Sequence, residues 1–334
     1  MARAYHQGRL IFFLGAGFNL ADRPKCSLSE CQEAKPPREW CAGVACPVRS
    51  FLPSGAELGK HLAAKIPQQN VTDLLKVSQM LQAKDNVAKL NQHLDQIFTN
   101  HHVTPSQIHH FLRSLCEIPA AEPSEPEPYP LIVTTNYDDL VEHRMDCDLL
   151  FYVPKEGGCF YRISPGSQRV KIQPGTAHLD TYPYFRDRPT VLKIHGHAPK
   201  RGQTLPFHPN MREEAYVITE DNYLDYLSGN PIEQMIPASI RLRLQNQEIL
   251  FLGYSLGDWN VRAFLFRFRQ ANSSNGLLGS YQGQPRYWAV SRSWENAPHY
   301  TGVTLVTMEL ADFRSRFRNS VAKIDAKLAE KILV

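Results

Sequence analysis

Apolar residues in this chain come in short unbroken runs, and four of the runs stop in a similar way. Leu10 to Leu14 gives way to Gly15-Ala16-Gly17, and Leu131 to Val133 to Thr134-Thr135-Asn136. Val191 to Ile194, interrupted by Lys193, ends in His195-Gly196, and Ile249 to Leu252 ends in Gly253-Tyr254-Ser255. A run of this length, closed by glycine or polar residues, predicts a strand buried on both faces. Further strands are predicted at 148–153, 216–218, 287–290 and 304–309. Between them the apolar period changes to that of a helix. Ser54 with Glu57 three residues on makes a capping box ahead of Leu58, Leu62, Ala63 and Ile66. Leu74, Val77 and Leu81 mark a second helix over 73–81, and Leu90, Leu94, Ile97 and Phe98 a third over 87–98. A fourth, Pro105 to Cys116, opens on proline after a capping Thr104. Helices are also predicted at 138–144, 219–227 and 259–269, with a long amphipathic one from Asp312 to Leu333.

Strands alternating with helices predict an α/β fold with a mostly parallel sheet covered on both faces. The predicted organisation is a single domain over 1–334. It carries a cysteine-containing insertion at 22–53 and a small helical module at 54–117, followed by a Pro/Glu-rich loop at 118–130. Residues 131–310 supply the rest of the sheet, and 312–333 closes the chain. In that last helix Phe313, Phe317, Val321, Ile324, Leu328 and Ile332 have the spacing of a core face, which is also a candidate oligomer contact.

In open parallel sheets, ligands bind beyond the carboxyl ends of the strands. Here four strand ends carry glycine or polar residues, and their recurrence points to one site. Gly15 and Gly17 allow a sharp turn and close approach of backbone to a ligand. The dinucleotide pattern G-x-G-x-x-G nevertheless fails at Leu20, which argues against an ordinary NAD(P) dehydrogenase.

The 334 residues are 43% hydrophobic and 21% charged, an ordinary globular composition. A formal charge of +4 does not by itself indicate nucleic acid. No apolar run is long enough to span a membrane, and the first is too short for a signal-peptide core, so the expected location is cytoplasmic. Of seven cysteines, Cys26, Cys31, Cys41 and Cys46 share one segment. Four thiolates suffice for a tetrahedral structural zinc, the alternative being a loop of free thiols. Cys116, Cys147 and Cys159 are scattered and suit small core positions.

Four blocks in order resemble the sirtuin-type NAD-consuming fold, and more closely its bacterial anti-phage defence branch than its protein deacylases. Gly15-Ala16-Gly17 resembles the family's Gly-Ala-Gly phosphate loop. Thr134-Thr135-Asn136-Tyr137-Asp138 is similar to its Thr-Gln-Asn-Ile-Asp block. Lys193-Ile194-His195-Gly196 resembles the segment bearing the catalytic histidine, and Phe251 to Asp258 the late Gly-Thr-Ser loop. The resemblance implies a Rossmann-like fold with NAD+ across the strand ends. It places Gly15, Ala16 and Gly17 at the pyrophosphate and Asn136 near the nicotinamide ribose. Asp138 would lie near the nicotinamide amide, and Ser255 and Asp258 on the adenosine half, with Thr135 and Gly253 also binding NAD+. Asn136 and His195 would be catalytic. Breaking the nicotinamide–ribose bond builds positive charge on the sugar; an amide can position water, and a histidine can accept a proton near neutrality. Asn136 also has the type and place of a helix N-cap, and the two roles are compatible.

The chain departs from the deacylases as well. Phe18 to Arg23 carries no Gly-Ile-Pro-Asp-Phe-Arg segment, and no cysteine follows His195, where deacylases hold paired Cys-x-x-Cys zinc ligands. No peptide-docking strand is recognisable, so water becomes the expected acceptor. The expected activity is NAD+ glycohydrolase, giving nicotinamide and ADP-ribose, in a prokaryotic immune effector that depletes NAD+. A protein deacylase or ADP-ribosyltransferase, and a non-catalytic NAD or ADP-ribose-binding regulatory subunit, are the alternatives. Control through a homo-oligomer or a separately encoded activating partner is expected.

Overall fold

The computed structural model describes residues 1–23, 51–66, 71–99, 103–120, 128–154, 158–198, 216–228, 232–254, 287–292 and 303–333. Cys26, Cys31, Cys41, Cys46, Ser255, Asp258, the predicted helix 259–269 and residues 121–127 of the Pro/Glu-rich loop lie outside the described residues.

Among the described residues nine strands form one sheet: β1 (Leu10–Leu14), β2 (Leu131–Thr134), β3 (Asp148–Val153), β4 (Cys159–Ile163), β5 (Val170–Ile172), β6 (Thr190–Lys193), β7 (Glu248–Leu252), β8 (Tyr287–Ser291) and β9 (Val303–Thr307). Their order is β5-β4-β3-β6-β2-β1-β7-β8-β9. Every pair from β3 to β9 is parallel, while β3–β4 and β4–β5 are antiparallel. The fold is therefore the predicted α/β type with an antiparallel edge. That edge was not legible in the sequence, since Cys159–Ile163 and Val170–Ile172 are short and each is interrupted by a charged residue, Arg162 and Lys171.

β1 lies between β2 and β7, and all five of its side chains are buried. Alternate side chains leave a strand on opposite faces. Leu10, Phe12 and Leu14 join a core with α1 (Ala2–His6), α5 (Gln107–Glu117), α9 (Leu310–Ala322) and α10 (Ala326–Glu330), where Tyr5, Phe111, Phe313 and Phe317 meet edge to face or tilted. Ile11 and Phe13 point the other way, into a core shared with Ile240 and Leu244 of α8 (Ala238–Asn246) and with Tyr184 and Phe185.

A third cluster joins α2 (Gly55–Ala63), α3 (Leu74–Asp85) and α4 (Val87–Phe98) to Tyr137, Leu140, Tyr216 and Ile218. α5, predicted as part of this module, instead packs on the sheet. Its buried Ile108, Phe111, Leu112 and Leu115 belong to the core of the β1 face. Two helices of the sequence reading differ in kind. Residues 138–144 make turns, because the Tyr137 carbonyl accepts from Ala198 N–H (2.8 Å), and Lys193 Nζ takes the Asp138 carbonyl, which a helix would spend on its own N–H groups. The closing helix is two, broken at Asp325, whose extended backbone and side chain cap α10 through Leu328 N–H (2.9 Å). Of its apolar face, Phe313, Phe317, Val321, Leu328 and Ile332 are core, and Ile324 is exposed.

Candidate active site

A cleft of about 560 Å³ opens at the carboxyl ends of the central strands, within the roughly 300–1,000 Å³ usual for ligand pockets. Ala16 and Gly17 line it after β1, Thr135, Asn136 and Asp138 after β2, His195 after β6, and Gly253 after β7. Seven of the residues predicted from sequence thus share one cavity. Parallel strands in register bring together positions more than 230 residues apart in the chain.

The glycines do more packing than cradling. Gly15 N–H donates to the Leu252 carbonyl (3.2 Å), and Gly17 N–H to that of Gly253 (2.9 Å). A Cβ on Gly15 would lie 2.4 Å from the Tyr254 ring, and one on Gly17 2.6 Å from the Gly253 carbonyl oxygen. Gly253 has φ +62°, the left-handed region. The β1 and β7 loops are therefore interlocked, and Gly15 sits behind the cleft, against Tyr254. Ala16 to Leu20 then form a 3-10 turn that carries Asn19 into the cavity.

Asn136 is held twice. Its backbone N–H donates to Thr134 Oγ1 (3.0 Å), and its Nδ2 to the Gly15 carbonyl (3.1 Å). It is 8% exposed and His195 3%, so both are buried side chains at the edge of the cleft. The His195 ring meets Tyr223 edge on, with centroids 5.5 Å apart. Behind it Gly196 turns at φ +106° and bridges Tyr216.

The floor beneath Asp138 is charged. Lys193, 1% exposed at the end of β6, reaches the carbonyls of Tyr137 (3.4 Å) and Asp138, and lies 2.9 Å from Glu142 Oε1. Burial pushes the Asp138 and Glu142 carboxyls up, and the Lys193 ammonium opposes it.

The wall facing these residues comes from α2. Arg23, just past the 3-10 turn, clamps Glu57 with two bonds (2.8 and 2.7 Å), and Glu57 also accepts from Ser54 N–H (2.8 Å). Burial alone would raise the Glu57 carboxyl, but Arg23 and Ser54 hold it down at about 2. Unfolded, Glu57 titrates at about 4.3. Its contribution to stability is therefore complete above that value and lost as pH falls toward 2. Glu57→Gln is expected to flatten the acid side of the stability curve between those limits. Urea midpoints measured across the range check this, and an unchanged slope would contradict it.

Several lining residues escaped the sequence reading. Asn19, Phe98 and Tyr223 line the cleft, as do Ser291 at the end of β8, Arg292 just after it and Glu309 beyond β9. The last three could have been found from strand ends 287–290 and 304–309, which were predicted without their chemistry. Arg292 and Glu309 form an exposed pair at 2.6 Å, of little energetic weight. Among the described residues no cluster of His, Cys, Asp or Glu could hold a metal, and Cys116, Cys147 and Cys159 are buried. No described helix is long and apolar enough to cross a membrane.

Comparison with known proteins agrees with this fold. A family model described as "SIR2-like domain" matches residues 130–301, just over half of the chain. Defense-associated sirtuin 2 of Bacillus subtilis is 24% identical over 134 residues. That match spans 40% of this chain and 10% of the length of the Bacillus protein.

Proposed function

We propose, on the premise that this chain belongs to the SIR2-like domain family, that it cleaves NAD+ at the nicotinamide–ribose bond with water as acceptor. The observation that carries the reading is the meeting of Asn136 and His195, both buried, in one cleft with Ala16, Gly17 and Asp138. The bond from the anomeric carbon to the pyridinium nitrogen breaks, and its electron pair leaves with neutral nicotinamide. Water oxygen bonds to the anomeric carbon and gives up a proton, so the products are nicotinamide, ADP-ribose and one proton. Asn136 orients the water and the ribose, and His195 takes the proton. Asp138 accepts from the nicotinamide carboxamide. Ala16 and Gly17 lie along the pyrophosphate, and the adenosine half extends toward Gly253, Ser255 and Asp258. The name of the Bacillus relative supports a role in anti-phage defence, in which NAD+ depletion is the effect. Unchecked, such an activity would exhaust its own cell, so control by self-assembly or a separately encoded partner belongs to the proposal. Zinc on Cys26, Cys31, Cys41 and Cys46 remains a proposal about the insertion.

Incubating the purified chain with NAD+ in ¹⁸O-water is the test. Nicotinamide with ADP-ribose carrying one ¹⁸O is the expected result. Release that requires an acyl-lysine peptide would instead mean a deacylase, and label transferred to protein a transferase. Tight NAD+ binding with no turnover under any assembly state would overturn catalysis in favour of a regulatory subunit.

A further inference from the structure

Ser106, His109, Asn19 and Asp138 form a hydrogen-bonded chain that has a single direction. Ser106 heads α5, and its backbone N–H lies 3.1 Å from His109 Nδ1, with its hydroxyl at 3.0 Å. A backbone N–H can only donate, so Nδ1 accepts and the ring proton sits on Nε2. Nε2 is 3.0 Å from Asn19 Oδ1 and donates to it. The Asn19 amide group is thereby turned toward Asp138, donating to Oδ2 at 2.8 Å. Leu140 N–H occupies the other carboxylate oxygen at 3.1 Å. A flipped Asn19 would set oxygen against carboxylate and N–H against N–H, so the orientation is fixed at both ends.

The three side chains His109, Asn19 and Asp138 are 3%, 4% and 3% exposed. Burial pushes the His109 ring down to about 3, so at neutral pH it is uncharged and carries one proton. Asn19 and Asp138 line the cleft; His109 stands behind them, edge on to Phe18 at 5.2 Å.

We propose that His109 is a positioning residue: its Nε2–H fixes the Asn19 amide and thereby holds Asp138 as an acceptor for the nicotinamide carboxamide. The proposal rests on the NAD+-cleaving reading of this cleft. What the relay sets is recognition of the leaving group, distinct from the water-directed work of Asn136 and His195.

Glutamine, asparagine and leucine at position 109 separate this from simple packing. A glutamine amide reaches about as far as Nε2 and keeps the donor, an asparagine amide reaches only as far as Nδ1, and leucine has none. His109→Gln is expected to stay within about twofold of the parent in KM for NAD+ and in inhibition by nicotinamide. His109→Leu and His109→Asn should raise KM and weaken nicotinamide inhibition by about tenfold each, the scale of one lost hydrogen bond to a charged group, with kcat within about threefold. Equal values for the parent, glutamine and leucine proteins, with release intact, would overturn the relay and leave the functional reading standing. A second measurement needs no turnover. ¹⁵N-histidine spectra of the parent at pH 7 should show His109 as the neutral Nε2–H tautomer, and an Nδ1–H or charged ring would overturn the relay. A parent protein that releases no nicotinamide would sink the functional reading, while those spectra still decide the relay.

Discussion

Asn136→Ala is expected to lower nicotinamide release from NAD+ by about 10²- to 10³-fold, and His195→Ala by about 10²- to 10⁴-fold. Both should leave KM for NAD+ within a few-fold of the parent, because neither side chain is assigned to the pyrophosphate or the leaving group. Asn136 is tied by its own side chain to the Gly15 carbonyl at the end of β1. Alanine therefore also removes one of that carbonyl's two hydrogen bonds, the other coming from Phe18 N–H (2.9 Å), a cost of about 1 kcal/mol that melting curves would register as a small shift. Any larger loss of rate belongs to chemistry. The relevant comparison is kcat measured on protein whose unfolding transition overlays the parent's. Retention of full rates in both variants would remove these residues from the reaction and, with them, the water-directed mechanism.

Gly253→Ala is expected to cost about 3–5 kcal/mol of stability. Moving a non-glycine residue into the left-handed region contributes about 1–2 kcal/mol. Steric overlap adds the rest, since the new Cβ would lie 1.9 Å from Phe18 N and 2.4 Å from the Gly17 carbonyl carbon. Neither neighbour is a flexible side-chain end. Relief requires the 3-10 turn to move away, which breaks the bond from Gly17 N–H to the Gly253 carbonyl. A urea midpoint shift corresponding to less than about 1 kcal/mol would show that the loops are not interlocked. Any accompanying loss of activity would report displaced packing, because the turn that moves also carries Asn19.

The sheet was legible because its strands are buried on both faces and so read as unbroken apolar runs, as in Leu10 to Leu14 and Ile249 to Leu252. The cleft was legible for a related reason: the polar residues that interrupt those runs fall at the same end of parallel strands. Asn136 and His195 were found that way. Asn19 and His109 were not, because their pairing depends on a contact between residues 90 positions apart, and a histidine at the third position of a helix reads as surface or core. A serine three residues ahead of it was the available signal, since Ser106-x-x-His109 has the spacing of a capping box with histidine in the glutamate position. The false helix at 138–144 has a comparable origin. Its apolar and charged residues have helical spacing, and only the tertiary demand of Lys193 and Ala198 for the carbonyls of Tyr137 and Asp138 unwinds it.

Lys193 holds the floor of the cleft by main-chain oxygens at residues 137 and 138, and by a side chain only at Glu142. Carbonyl groups survive any substitution that leaves the chain path intact. The ammonium therefore fixes the path of the chain under the cleft without touching the side chains of residues 137 and 138. Lys193 and Glu142 depend on each other's presence, whereas the side chains at 137 and 138 answer to other partners: the Tyr137 hydroxyl donates to the Val217 carbonyl, and Asp138 accepts from Asn19 and from Leu140 N–H.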